Sequence, residues 1–305
     1  MNGKPSVWEA AEPEAPSDDC PPVGIYEDVP FEDYCKWDAV NQSRLKQLGR
    51  SPEHYLMAKH GEPTKALEFG ELCHVGVLET GRVLECYAVM PAYEDDAENL
   101  TAEGEKPKKP KSTGYYKDKK AAFEQRAAET GRKVLEESEF KMVFGMVKAI
   151  QRNFTAVSYL NGPREVSIVW NDLSTGIRCK ARIDVAAADG LTDFKTCPDP
   201  HPQEFERSLW KYGYHRQAAW YIDGWEALTG DLLPFRIVAV GKETPRQCCA
   251  AVVDDLSVNI GRAENKEAMA LLLECRQTQN WPGYENPVCW SLPAFVTDKH
   301  LKMGE

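Results

Sequence analysis

The sequence predicts a mixed α/β fold in which one central mixed sheet is flanked by helices. Helical segments come first, three strands follow between about residues 164 and 196, and then helices, two further strands and a last helix complete the order. A chain of 305 residues, 42% of them hydrophobic, can bury such a core as one large domain with appendages.

The helices are recognised by apolar residues at helical spacing and by residues suited to their ends. Residues 40–59 predict two short helices, the second restarting at Ser51-Pro52. Ser43 is a candidate cap of the first. The remaining helical stretches are expected at 64–79, near 117–131 and 136–152, over 202–228, and at 258–276.

Short runs of β-branched and apolar residues predict the strands. They cover residues 164–170, 176–186, 190–196, 234–241 and 247–254. The second and third meet at Asp189-Gly190, a dipeptide typical of a tight hairpin turn.

The net charge of −11 is unevenly distributed along the chain. Residues 1–34 hold nine acids against one base, which leaves −3 for the other 271 residues, so the body can carry a local basic groove. Residues 1–22, rich in Pro, Glu, Ala and Ser, predict a disordered acidic tail. Residues 23–290 form the predicted domain, and residues 291–305 a C-terminal tail.

A charged insertion interrupts the domain at about residues 93–120, with seven lysines between 106 and 120. It predicts either a solvated loop or a flap that follows phosphates. The ten cysteines include no CxxC pair, so zinc-finger spacing is absent and reduced thiols are expected. No apolar run is long enough to span a membrane and no secretion signal is recognisable, so we expect a cytoplasmic protein.

Two acids and a lysine lie on the predicted hairpin of residues 176–196. Asp193 and Lys195 are two residues apart on one strand and point to the same face, whereas Phe194 points to the other. Asp184 is on the strand before them. Taken alone, the stretch is compatible with a surface salt bridge, although carboxylates that become buried need a cation or a metal.

Other polar residues accompany this hairpin in a fixed order. His74 is inside the helix of residues 64–79 and Glu165 opens the first strand. Gln217 and Tyr221 are four residues apart on a helix and therefore share a face. Each has an ordinary structural explanation, but the combination is much less expected by chance.

In this combination the chain resembles the PD-(D/E)xK nuclease superfamily, and in particular its RecE-type, exodeoxyribonuclease VIII-like branch of bacterial and phage exonucleases. The resemblance runs from about Gly24 to Tyr284 through "KALEFGELCHVGVLE", "GIRCKARIDV", "LTDFKT" and "YGYHRQAAWYIDG". It implies a restriction-endonuclease-like core. The second acid is Asp193 where many members of the superfamily have Glu, as in the RecE- and RecB-like branches.

The resemblance assigns roles to these residues. His74, Asp184, Asp193 and the Phe194 carbonyl would bind Mg²⁺, for which Mn²⁺ would substitute, and Lys195 would orient or deprotonate the attacking water. Glu165 would be a peripheral acid, and Gln217 and Tyr221 would brace the site or hold DNA. The predicted DNA contacts are Ser43, Arg182, Lys211 and Arg216. For Ser43 a helix cap is an equally good explanation.

The implied function is a metal-dependent exonuclease that digests linear double-stranded DNA in the 5′→3′ direction and leaves 3′ overhangs for recombination. The branch also implies a ring-like homo-oligomer, a partner that anneals single strands, and the cytoplasm of a bacterial or phage-infected cell. Two alternatives stay open. One is a non-catalytic scaffold that binds DNA ends, and the other is a nuclease of the same fold acting on single-stranded DNA.

Overall fold

The computed structural model describes residues 20–58, 65–101, 103–285 and Ser291. The predicted tails, 1–22 and 291–305, therefore lie almost entirely outside the described residues. Within the described part, no helix is both long and apolar enough to cross a membrane. The nine cysteines in that part are free thiols.

A six-stranded sheet forms the centre, in the order β1-β4-β5-β6-β7-β8, and confirms the predicted mixed sheet. Its strands are Gly24–Tyr26 (β1), Arg164–Asn171 (β4), Arg178–Ala187 (β5), Gly190–Cys197 (β6), Phe235–Gly241 (β7) and Cys248–Val252 (β8), while Tyr87–Met90 (β2) and Lys133–Glu136 (β3) form a small parallel sheet. The β6–β7 pair is parallel and the other neighbours in the large sheet are antiparallel.

Helices cover both faces of this sheet. They are Phe31–Lys36 (α1), Gln42–Leu45 (α2), Pro52–Met57 (α3), Lys65–Leu78 (α4), Val83–Cys86 (α5), Gly114–Glu129 (α6), Glu137–Gln151 (α7), Phe154–Tyr159 (α8), Pro202–Tyr212 (α9), Tyr214–Thr229 (α10) and Asp255–Thr278 (α11). Ile237 and Val238, adjacent on β7, belong to different hydrophobic clusters. One cluster packs α10 and α11 on its face of the sheet, and the other packs α4, α7 and α8.

The helical stretch predicted over 202–228 is two helices, because Gly213 adopts a left-handed conformation with φ of 72° and ends α9. One sequence prediction about a helix end is wrong. Ser43 does not cap α2, since the Asn41 side chain accepts the Arg44 N–H at 2.8 Å instead. Ser43 is exposed on the first turn.

The charged insertion is folded around one buried amide. The Asn99 side chain is fully buried, and its nitrogen donates to the carbonyl oxygens of Tyr93, Glu94 and Pro110 at 3.2–3.4 Å. Its oxygen accepts the Thr113 hydroxyl at 2.6 Å. The backbone of the segment is thus held by internal hydrogen bonds, which a fully solvated loop does not require.

Candidate metal and catalytic site

In the β5–β6 hairpin the regular strand pairing stops next to Asp184 and Asp193, which leaves an opening between the two strands. Its ladder pairs Val185 with Thr192, and the next step of that register would place Asp184 opposite Asp193. Instead the Asp184 carboxylate accepts the backbone N–H of Phe194 at 2.7 Å. Asp184 and Asp193 are 8% and 2% exposed, so the hairpin is not the surface element that the simplest interpretation of its sequence allowed.

The β4–β5 register adds a third carboxylate beside this opening. Glu165 lies between the pairs Arg164–Val185 and Val166–Ile183, which places it opposite Asp184. Its φ of 53° is rare for a residue with a side chain. Such a conformation costs on the order of 1 kcal/mol and is concentrated at functional sites.

His74 completes a cluster of possible metal ligands from the other side of the opening. Its Nδ1 lies 3.7 Å from Asp184 Oδ2 and 4.0 Å from Glu165 Oε1. Its ring packs edge-on against Phe194, with the centroids 5.3 Å apart. One nitrogen and two carboxylate oxygens thus lie within 4.8 Å of one another.

This donor set suits a divalent cation. Ligand oxygens on opposite sides of Mg²⁺ are about 4.2 Å apart, so small side-chain movements would close the cluster around an ion. Burial and the Asp193 charge raise the pKa of Asp184 well above its ordinary value, a sign that positive charge is lacking there. Burial and the Lys195 charge lower the pKa of His74, which favours the neutral imidazole that can bind a metal.

Asp193 lies in a second group of side chains, in which a lysine balances its negative charge. One carboxylate oxygen contacts the Lys195 ammonium, and the other accepts the Gln217 amide at 2.7 Å. The same amide donates to the Tyr221 hydroxyl at 3.1 Å, so the expected pair on α10 braces Asp193. Asp193 is not part of the three-residue cluster, and its metal-binding role and that of the Phe194 carbonyl remain predictions.

Lys195 is held between this carboxylate and an aromatic ring. Its ammonium lies 5.1 Å from the centroid of Tyr214. Burial alone would lower its pKa, but the charges of Asp193 and Asp184 outweigh burial and raise it. Lys195 is therefore protonated at neutral pH in this arrangement and serves as a donor rather than as a base.

The residues predicted to contact DNA differ in their exposure and in their partners within the protein. Lys211 is exposed on α9, and Arg216 contacts the Glu264 carboxylate. Arg182 is turned inward. Its Nε donates to Glu165 Oε2 at 2.6 Å, and its NH1 donates to the Val29 carbonyl at 2.7 Å. These contacts make Arg182 a support for Glu165, while its role toward DNA remains a prediction.

Two residues near the site were missed by sequence reasoning. Tyr214, in the quoted "YGYHRQ" stretch, lies under the Lys195 ammonium. Burial lowers the pKa of Lys46, and the nearby charges of Arg216 and Lys195 lower it further. The spacing of Lys46 gave no signal, because it comes near Lys195 only through tertiary packing.

A mixed sheet with an acid at the hairpin opening and Asp-x-Lys on the next strand defines a PD-(D/E)xK fold. The model of a family described as a PDDEXK-like domain of unknown function matches residues 41–289. The chain belongs to this family.

Solved structures show the same fold. One is the crystal structure of a protein from Eubacterium rectale that is provisionally assigned as an exonuclease. It has a TM-score of 0.56 and 17% identity, and the match covers 85% of this chain and 92% of that one. Among curated proteins the chain finds no match.

Proposed function

We propose that this protein is a metal-dependent exonuclease of the RecE type, which hydrolyses phosphodiester bonds at the ends of linear double-stranded DNA. One observation supports the proposal most strongly. The cluster of possible metal ligands His74, Glu165 and Asp184 lies at the same opening of the sheet as the Asp193–Lys195 ion pair. A scaffold that only binds DNA ends needs neither the buried acids nor the lysine that is paired with one of them.

The residues of the chain divide the work of phosphodiester hydrolysis. His74, Glu165 and Asp184 would hold Mg²⁺ or Mn²⁺, and Mn²⁺ is an effective substitute because carboxylate oxygens suit both ions. When bound, the cation supplies charge neutralisation at the scissile phosphate. Lys195, protonated, donates to a phosphate oxygen or to the attacking water. Gln217 and Tyr221 hold Asp193, which in turn fixes the position of Lys195.

The finer parts of the proposal come from the resemblance to RecE-type enzymes. They are digestion in the 5′→3′ direction, 3′ overhangs for recombination, a ring-like homo-oligomer, a single-strand annealing partner and a cytoplasmic location. The cations near the site are compatible with a DNA backbone at this opening. They include Lys46, Arg216 and the exposed Lys211.

The test is digestion of a linear duplex labelled at one 5′ end or one 3′ end, beside a covalently closed circle of the same sequence. We expect Mg²⁺ or Mn²⁺ to permit loss of the linear DNA only, with early release of the 5′ label. Excess chelator should stop the reaction. Asp231→Asn is the matched control, because Asp231 is an exposed acid whose carboxylate forms no hydrogen bond or ion pair within the described residues. Digestion that survives chelation, or cutting of the circle, would contradict the proposal.

A further inference from the structure

The second half of α9 exposes aromatic surface. No residue of this helix is buried. Trp210 is 67% exposed and Tyr212 is 48% exposed, although large aromatic side chains usually bury most of their area. Such an exposed aromatic pair requires an explanation from its surroundings.

Tyr212 is connected to the proposed catalytic lysine through Tyr214, and Trp210 packs on the neighbouring His215. The Tyr212 centroid lies 5.7 Å from that of Tyr214, whose ring lies under the Lys195 ammonium at 5.1 Å. Trp210 stacks on His215 with the centroids 5.3 Å apart and the planes 16° apart. One face of Trp210 is thus supported from within the protein while most of the side chain remains in solvent.

Positive charge accompanies the two exposed rings. Lys211 lies between them in sequence, with its ammonium 5.3 Å from the Tyr212 centroid, and forms no ion pair within the described residues. Arg216 packs against Gly213 at the end of α9 and shares the Glu264 carboxylate with His215. Arg207, one turn before Lys211, is paired with Glu204 at 2.9 Å, so the unpaired cation is at the aromatic end.

We infer that Trp210 and Tyr212 form a stacking platform for unpaired DNA bases next to the phosphate that Lys195 contacts. Proteins that bind single strands combine rings on which bases stack with cations that follow the backbone, and this end of α9 combines both. The inference rests on the proposed nuclease function and adds to it how the strand is held at the site. Opening of the duplex end would supply the unpaired bases.

The test measures binding without cleavage. Ca²⁺ replaces Mg²⁺, and anisotropy follows a labelled oligothymidine strand and a matched strand in which the central sugars lack bases. The variant is Trp210→Leu/Tyr212→Leu, which keeps apolar area against His215 but removes both rings. We expect about tenfold or greater weakening toward oligothymidine and little change toward the abasic strand.

Salt dependence separates stacking from charge. The double variant should leave the slope of log affinity against log salt unchanged, since no cation is lost. Lys211→Ala should reduce that slope by about 0.7. The control variant is Phe154→Leu, because Phe154 is 91% exposed on α8, and it should bind both strands like the wild type.

Three results would overturn the inference. They are wild-type affinity of the double variant for oligothymidine, equal losses on both strands, and loss of binding together with a changed oligomeric state in size-exclusion chromatography. The last result would make this surface an interface between copies of the chain. A wild-type protein that binds as expected but never cleaves with Mg²⁺ or Mn²⁺ would refute the proposed function and leave the platform standing.

Discussion

The two halves of the site differ in how their charges are balanced. His74, Glu165 and Asp184 bring two carboxylates and a neutral imidazole together, and Asp184 has a raised pKa because burial and Asp193 disfavour its charge. Asp193 instead has Lys195 on one oxygen and Gln217 on the other. Asp184 in the first half therefore has no lysine or arginine partner within the described residues, whereas Asp193 in the second is paired with Lys195.

The sequence motif groups these acids together, but the difference in charge balance assigns them two tasks, metal binding and the positioning of Lys195. The half with the unpaired Asp184 carboxylate is suited to bind a metal ion, and the half in which Asp193 is paired is suited to hold Lys195 in place before substrate arrives.

The largest effects are expected from the two hairpin acids, and their effects on stability should be opposite in sign. Both Asp184→Asn and Asp193→Asn should reduce cleavage by about three orders of magnitude or more, because a cation or the lysine loses its carboxylate. Without metal, Asp184→Asn should raise the melting temperature, since Asn keeps the acceptor for the Phe194 N–H and removes a disfavoured buried charge. Asp193→Asn should lower it, because Lys195 loses its buried partner.

The same comparison predicts a pH dependence of stability in the metal-free protein. The pKa of Asp184 is higher in the folded than in the unfolded chain, so the folded state binds the proton more tightly. Stability should therefore fall as the pH rises from about 3.9 through the raised value, and Asp184→Asn should flatten this fall. Urea unfolding at several pH values measures it. An unchanged profile in the variant would show that Asp184 is not the disfavoured charge.

Lys195→Arg should give the next largest effect. Arg keeps the charge, but its planar fork is bulkier and presents its donors differently between Asp193 and the Tyr214 ring. We expect cleavage to fall by at least about two orders of magnitude, with DNA binding in Ca²⁺ nearly unchanged. Lys133→Arg, at an exposed ion pair with Glu71, is the matched control. Wild-type cleavage by Lys195→Arg would reduce the pair to a salt bridge.

A smaller effect is expected from Arg182, which holds Glu165 in its left-handed conformation. Arg182→Met should weaken Mn²⁺ binding by about 10- to 100-fold, as is typical when the support of a metal ligand is removed. Arg182→Lys should restore part of the loss. The control is Arg178→Lys on the same strand, which donates to the Pro21 carbonyl and not to a candidate ligand. Equal Mn²⁺ affinity in the wild type and Arg182→Met would exclude this support.

The smallest effect is expected from the N-terminal segment. Removal of residues 1–19 should leave cleavage within a few-fold of the full chain, because the segment is acidic and has few core-forming residues. The cut stops before Pro21 and Pro22, whose carbonyls accept hydrogen bonds from Arg178 and Tyr26. A large loss of rate in the shortened protein would show that the segment contributes to the site or to assembly.

The sequence predicted the parts of this molecule that depend on local pattern. Strand alternation gave the Asp193-x-Lys195 face, and helical spacing gave the Gln217–Tyr221 pair. It missed what depends on tertiary geometry. The φ of Glu165 and its alignment with Asp184 come from sheet register, and Arg182 was expected to face DNA because its inward partners are distant in sequence.

Helix boundaries show the same limit. The sequence predicted helix over 202–228 without placing a boundary in it, and the break at Gly213 appears only as a left-handed φ of 72°. Asn41 and Ser43 are both good capping residues, and backbone geometry selects Asn41. Local propensity alone could not make that choice.

Calorimetric titration of Mn²⁺ into the metal-free protein, its Asp184→Asn variant and the Asp231→Asn control tests the central claim most directly. We expect binding to the wild type and to Asp231→Asn, and loss of that binding in Asp184→Asn, because the amide carries no negative charge and the cluster keeps only His74 and Glu165 as strong donors. Undiminished binding to Asp184→Asn, or no binding to the wild type, would contradict it.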